Sequence, residues 1–580
     1  MNFDRSFGSN CLHARGIGLK ALGSLSLVVV LAGGCKGDDV SGDNDDGTTD
    51  ETGSGDGDGD GGDGDGDGSD DGFVPPPGGM RRMLDYQYVN SIEYMFGSQA
   101  AAVAKPPADQ ALHGYTPIGA TELSPGLDLV EIYEASALAI ADAAIANPST
   151  MAGLVPCITS SPNQACYTEV AETLGHIAWR RPLTADEVSA VVAIANEAQA
   201  WGNGDFNAGL KYELVRILLA PEFIYVVETG VQDPDEPEEF WLTGPELVTR
   251  MSLLFVGRIP SLTLLEAAEA GNYDDLASVQ ALATAMLADV RAPDAVSEFF
   301  SEYLALSDIS AKDPVQFPLY SATLVDSMVQ ETELLLRDII WTQDTDFRTF
   351  LEADYTFVDA NLAALYGIAP PAEPWAKVTL PVEHNRAGFM THASMLARNS
   401  HGDGNSTTRR GQYIQQRMLC YSVPPPPPEV IPELPEIPEG VDMTLRELME
   451  QIHLEPSSCA ECHIHMDTLG FTLESFDALG AWRTHEPNGL PIDTVAEYPN
   501  FGVMENAADL AANVAMDPRT GRCLVNNIIR YGRGSLESPS NDGDHLGALY
   551  DSFEASNYRF KQLLVDFVTS EMFRQVGAPK

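Results

Sequence analysis

The chain has 580 residues, with 86 acidic against 33 basic side chains and a formal net charge of −53. A surface so acidic repels nucleic acid, which excludes partners bound through their phosphates. At 44% hydrophobic residues the chain can still bury substantial cores, and its length suits about three or four domains.

The N-terminus reads as an export signal. Arg5, Arg15 and Lys20 precede an apolar run from Ala21 to Ala32, too short to span a bilayer convincingly. Leu31-Ala32-Gly33-Gly34-Cys35 then reads as a lipobox, in which Cys35 becomes the lipidated first residue; the alternative is an ordinary cleaved signal with a spare cysteine. Lys36 follows Cys35, so nothing argues for retention at an inner membrane, and a bacterial outer-membrane or cell-surface lipoprotein is expected. From Asp38 to Gly72 the chain is almost entirely Asp, Gly, Ser and Thr, which predicts a self-repelling tether. Asp56, Asp58, Asp60 and Gly61 have the spacing of a calcium loop but lack flanking helices, so diffuse cation binding is the expectation there.

Beyond the tether the periodicity is helical. Met80, Leu84, Tyr88, Ile92 and Met95 recur at three to four residues, and Thr184/Glu187, Thr243/Glu246 and Thr444/Glu447 are capping boxes. Sustained two-residue alternation is missing; Phe223 to Val227 reads either as a strand or as a continuation of the apolar run from Leu214. An all-α fold is predicted. Pro424 to Pro428 and the P-E-L-P-E-I-P segment after them cannot be helical and are expected to form an extended strap.

The pentapeptide Cys459-Ala460-Glu461-Cys462-His463 carries the chemistry. It has the attachment pattern of a covalent c-type haem, with both sulfurs joined to porphyrin vinyl groups and His463 as the proximal iron ligand. The same residues can instead hold zinc with His465, or act as a bare redox dithiol. The export signal favours haem, because this cofactor is attached outside the cytoplasm. Of the eight cysteines, Cys11 leaves with the signal, Cys35 takes lipid, and Cys459 and Cys462 take haem. In an oxidising compartment Cys157 pairs naturally with Cys166 across a short Ser/Pro/Asn-rich loop, leaving Cys420 for Cys523, although buried thiols remain the alternative for this second pair.

The sixth iron ligand would decide what such a haem does. Met466 and His465 lie too close in sequence to His463, since about 10 Å of extended chain does not pass easily around a porphyrin edge. His401, Met504 and Met516 are better placed, each with an ordinary alternative as a surface or core residue, and an open position is a further possibility.

Several segments resemble, in order, the secreted planctomycete-type cytochrome c multidomain proteins that also occur in myxobacteria. They are R-R-M-L-D-Y-Q-Y-V-N-S-I-E-Y-M-F-G from Arg81, W-R-R-P-L-T-A-D-E from Trp179, L-A-P-E-F-I-Y-V-V-E from Leu219 and D-Y-T-F-V-D-A-N-L-A-A-L-Y-G from Asp354. R-A-G-F-M-T-H-A-S-M-L-A from Arg386, R-R-G-Q-Y-I-Q-Q-R-M-L-C from Arg409 and the stretch from Cys459 to Arg483 follow. The resemblance covers residues 80 to 577 and implies helical modules and a haem, but no substrate. Its modules are mostly domains of unknown function. It departs at Asp467-Thr468-Leu469-Gly470, where the family usually has Asp-Pro-Leu-Gly; Thr468 removes a rigid element from an expected loop whose backbone carbonyl would take the second proton of His463.

The expected organisation is a lipoprotein signal peptide (1–34), a disordered Asp/Gly-rich tether (35–79) and helical modules at 80–146, 147–204 and 205–380, then a cytochrome c-like haem module with its strap (381–490) and a C-terminal helical module (491–580). The expected function is electron transfer by a lipid-anchored, extracytoplasmic monohaem cytochrome c. It would work with a redox partner protein or small molecule outside the cytoplasm, and with no nucleic acid. The rival readings are a peroxidase-like or other haem oxidoreductase with an open distal site, and a cell-surface binding protein in which haem is secondary. No nucleophile elbow, zinc-protease helix or phosphate-binding loop is present in the sequence.

Overall fold

A computed structural model describes residues 73–123, 126, 128–424, 442–454 and 457–579. The signal, Cys35, the tether with its calcium-like spacing, and the strap beyond Pro424 lie outside the described residues. What is described is mostly helical, as the periodicity predicts, with only short antiparallel strand pairs and one three-stranded sheet.

All three capping boxes form. Thr184, Thr243 and Thr444 each accept from the amide of the glutamate three residues on, whose side chain returns to the threonine amide. This satisfies donors that a helix start leaves unpaired. Two sequence readings change at the N-terminal edge. Residues Gly79–Arg82 are a strand, not the start of the helix, which runs Asp85–Phe96. The strand pairs antiparallel with Tyr225–Glu228, which resolves the ambiguous apolar stretch: Pro221–Ile224 is a helical turn and the strand follows it. Met80, which fits the helical period, therefore lies on the exposed side of the strand pair.

The buried charges beneath this pair explain the choice. Arg250, on the helix Gly244–Phe255, donates to both carboxylate oxygens of Glu228 at 2.9 and 2.8 Å, and Arg81 approaches the same group at 3.4 Å. Arg250 also donates to the carbonyl of Phe573, tying the strand pair to the end of the chain. Burial alone would raise Glu228, but the two guanidinium groups outweigh it and hold the carboxyl at about 2.

Two large cores result. One is built from residues between Met83 and Val226 with Leu253 and Ile259, and it includes both Cys157 and Cys166. The other draws on helices from Tyr115 to Phe573. The described residues form one unit whose ends meet: Gln575–Val576 pairs with Phe240–Trp241, and the Gly577 amide donates to the Pro76 carbonyl at 2.7 Å.

Both expected disulfides are present, Cys157–Cys166 with Cα atoms 5.6 Å apart and Cys420–Cys523 at 5.2 Å. The second closes 103 residues of chain and clips the segment before the strap to the helix Pro518–Arg533.

Removing one member of a buried ion cluster leaves a charge uncompensated, so Arg250→Ala should cost about 3–5 kcal/mol in denaturant unfolding. Because Glu228 is depressed from 4.5 to about 2, its contribution is complete above pH 4.5 and is lost as pH falls toward 2. The acid-induced loss of stability should therefore be shallower in Arg250→Ala than in the unaltered protein.

Candidate haem-attachment site

The pentapeptide lies at the start of the helix Ser457–Phe471. It is preceded by the capped helix Leu445–Met449 and a π-helical turn, Glu450–Leu454, which carries His453. π-Helical turns often mark functional positions because the extra residue re-aims the side chains beside it. Cys459 falls in the first turn of the motif helix, and Cys462 is partly exposed with a free thiol.

The pose of this helix is set by backbone contact with the helix Thr407–Tyr413. A Cβ on Gly411 would overlap the carbonyl of Met466, and a Cβ on Gly470 would overlap the carbonyl of Thr407. Two glycines, one on each helix, thus allow the crossing to close to backbone distance. Arg410 locks it. Its guanidinium is buried and donates to the carbonyls of Leu473 and Phe476 at 2.9 Å and of Asp477 at 2.6 Å, the chain that leaves the motif helix.

The crossing brings Asp467 and Thr408 together. Thr408 Oγ1 donates to Asp467 Oδ1 at 2.6 Å, while Oδ2 of the same carboxylate lies 2.7 Å from Nδ1 of His453 and 3.2 Å from Nδ1 of His463. The two imidazole rings pack with centroids 3.7 Å apart and planes tilted by 32°. The Asp467 side chain is fully buried. Burial alone would raise it, but donors on His453, His463 and Thr408 more than offset this and hold it below the usual carboxylate range. An ionised carboxylate only accepts, so the two Nδ1 atoms donate to it, which leaves Nε2 as the His463 nitrogen able to bind a metal.

That arrangement corrects one expectation. Asp467 to Gly470 are not a loop after the motif but part of the same helix, and the partner of His463 Nδ1 is a carboxylate in place of a backbone carbonyl. Thr468 keeps the amide proton that proline lacks, so the helix continues, and the i,i+4 spacing puts Asp467 on the same face as His463. Neither His453 nor Asp467 stands out in the sequence as part of the site. The signal for Asp467 is its spacing from His463 once the helix is known to extend past it; His453 carries no comparable signal, because a π-helical turn brings it in.

In their chemistry the residues fit a covalent haem. Cys462 is a free thiol at the attachment position, and His463 has Nδ1 restrained and Nε2 available. The candidate sixth ligands are held in different settings. His401 is partly buried in a turn that Lys312 pins by donating to the Ser400 and His401 carbonyls at 3.1 and 3.0 Å. Met504 is fully buried in the larger core, and Met516 is exposed. The ring of His465 lies 6.1 Å from those of Tyr421 and Tyr498.

Comparison with known families supplies the lineage. Residues 166–228 match a family described as protein of unknown function (DUF1595), residues 242–368 another so described (DUF1592), and residues 386–486 a third, PSCyt3 (DUF1588). The chain belongs to the planctomycete-type, cytochrome c-associated multidomain family. The third match contains the whole site from Thr408 through Gly470, including both glycines. No curated protein and no solved structure matches the chain.

Within this family's third module the glycine contact is directly testable. Gly470→Ala should force the motif helix away from Thr407 and lower stability by about 1–3 kcal/mol, the usual cost of overpacking. Denaturant unfolding measures it; an unchanged midpoint would show that the crossing can relax.

Proposed function

We propose that the protein is a lipid-anchored, extracytoplasmic monohaem cytochrome c of the bacterial cell envelope, at the outer membrane or cell surface, that passes electrons. The observation that carries this is His463, which follows the Cys459/Cys462 pair on one helix and has Nδ1, and not Nε2, engaged by a buried carboxylate. A haem bound there supplies one-electron redox chemistry. Cys459 and Cys462 would hold the macrocycle to the first turns of the helix through thioether bonds, and His463 would ligate its iron. Asp467 keeps the Nδ1 proton on His463 and fixes the ring plane, and the glycine crossing with Arg410 holds Asp467 against Thr408.

The compartment is supported by the two disulfides and by the export signal. Among the described residues no helix is long and apolar enough to cross a membrane, and the polar tether offers no second anchor, so attachment rests on lipid at Cys35. The acidic surface suits a redox partner protein or small molecule outside the cytoplasm, not nucleic acid.

A second reading is favoured by one specific observation: ligand atoms of His453, His463 and Asp467 all lie within 4.8 Å of one another, a grouping able to hold a divalent metal ion. The two readings differ in iron content and covalency. Protein made with cytochrome maturation machinery should carry one haem that survives denaturation and is lost in Cys459→Ala/Cys462→Ala; stoichiometric zinc without haem selects the metal centre. Slow or absent carbon monoxide binding to the reduced protein supports an electron carrier, whereas rapid binding with peroxide turnover selects an enzyme with an open distal position.

Cys35→Ala should move the protein from membranes into the soluble fraction. Retention of the variant after a salt wash would overturn the lipid anchor.

A further inference from the structure

The carboxylate of Asp467 does more than orient a ring. A backbone carbonyl is a neutral dipole, but Asp467 brings a full negative charge, buried and 3.2 Å from His463 Nδ1. In a water-poor setting a charge-assisted hydrogen bond draws the Nδ1 proton strongly, which raises electron density on the ring and makes Nε2 a stronger donor to a metal. A stronger donor favours the higher oxidation state of bound iron.

His453 acts on the same oxygen in the opposite sense. Its Nδ1 lies closer to Oδ2, at 2.7 Å, and its ring packs against that of His463 with centroids 3.7 Å apart and planes tilted by 32°. Two donors sharing one acceptor each receive less of its charge. Thr408 takes the other oxygen, so the carboxylate cannot swing Oδ1 round to serve the two imidazoles separately. The result is a shared anion whose pull on His463 is set by how much His453 takes.

We infer that Asp467 and His453 are an opposed pair of positioning residues that set the reduction potential of the haem iron through His463, Asp467 lowering it and His453 moderating that effect. This rests on the haem reading above. It follows from contacts that converge only through the helix crossing and the π-helical turn, and it makes the two substitutions act in opposite directions.

The experiment is spectroelectrochemical titration of haem-loaded protein, with covalent haem counted in each sample after denaturation. Asp467→Asn keeps the shape but removes the charge, and the midpoint potential should rise. His453→Phe keeps a ring to stack on His463 but removes the competing donor, and the potential should fall. A merely structural role predicts no such opposition of sign. If Asp467→Asn fails to fold, the fall in His453→Phe still decides the matter. Equal potentials in haem-loaded His453→Phe and unaltered protein, or shifts of the same sign in both variants, overturn this inference while leaving the haem reading intact. Absence of covalent haem from the unaltered protein overturns both.

Discussion

Backbone contact between the motif helix and the helix Thr407–Tyr413 is the constraint on which the site depends, because no side chain could bring Thr408 within hydrogen-bonding reach of Asp467 if the helices stood at an ordinary separation. Helices usually pack about 8–10 Å apart, with side chains filling the gap. Here Gly411 and Gly470 remove that filling on both sides. Arg410 then gathers the carbonyls of the chain that leaves the motif helix, so the crossing is fixed along its length as well as across it. Glu474 adds to the clamp, accepting from Thr407 at 2.9 Å and from Asn405 at 3.2 Å.

The same logic recurs away from the site. A strongly acidic chain must place its buried charges with care, since an unpaired one costs several kcal/mol. Glu228 is matched by two guanidinium groups, and Arg410 is surrounded by carbonyl oxygens. A third cluster joins the central segment to the one that carries the Cys459/Cys462 motif: Glu331 accepts from Thr356 at 2.8 Å and Tyr366 at 2.7 Å, while His392 lies 3.1 Å from both Thr332 and Thr356. Burial pushes Glu331 up to about 7 and, with Arg386, His392 down to about 3, so the histidine is neutral around pH 7 and the carboxyl is far less ionised than an ordinary glutamate. It gives His392 of the segment from Arg386 a structural task, welding one matched module to the next. A rigid frame of this kind would suit the proposed electron transfer, in which the protein must change little when the electron arrives.

How far the sequence could be read depended on the range of the interaction. Capping boxes form as read because all their partners lie within one turn, and the helix Ala360–Tyr366 starts on Asp359 for the same reason, its carboxylate accepting from Leu362 N at 2.9 Å. Met80 was misleading because a helical period of apolar residues is also satisfied by a strand followed by a helix, and pairing with Tyr225–Glu228, far along the chain, decided between them. Thr468 pointed to a softened loop, yet its amide lets the helix run on, which reverses its meaning.

By itself the sequence determined the fold class and supplied the motif behind the proposed covalent chemistry: the Cys459/Cys462/His463 spacing, the helical period and the closeness of Cys157 to Cys166 are local facts, complete within a few turns of chain. Tertiary structure alone decided which groups surround His463. Asp467 shares its helix face, but His453 and Thr408 reach it from other elements, and Cys420 meets Cys523 across 103 residues. The meeting of Thr408 with Asp467 depends on a helix crossing fixed by backbone contact at Gly411 and Gly470, and a glycine in a sequence does not say what it allows to come near.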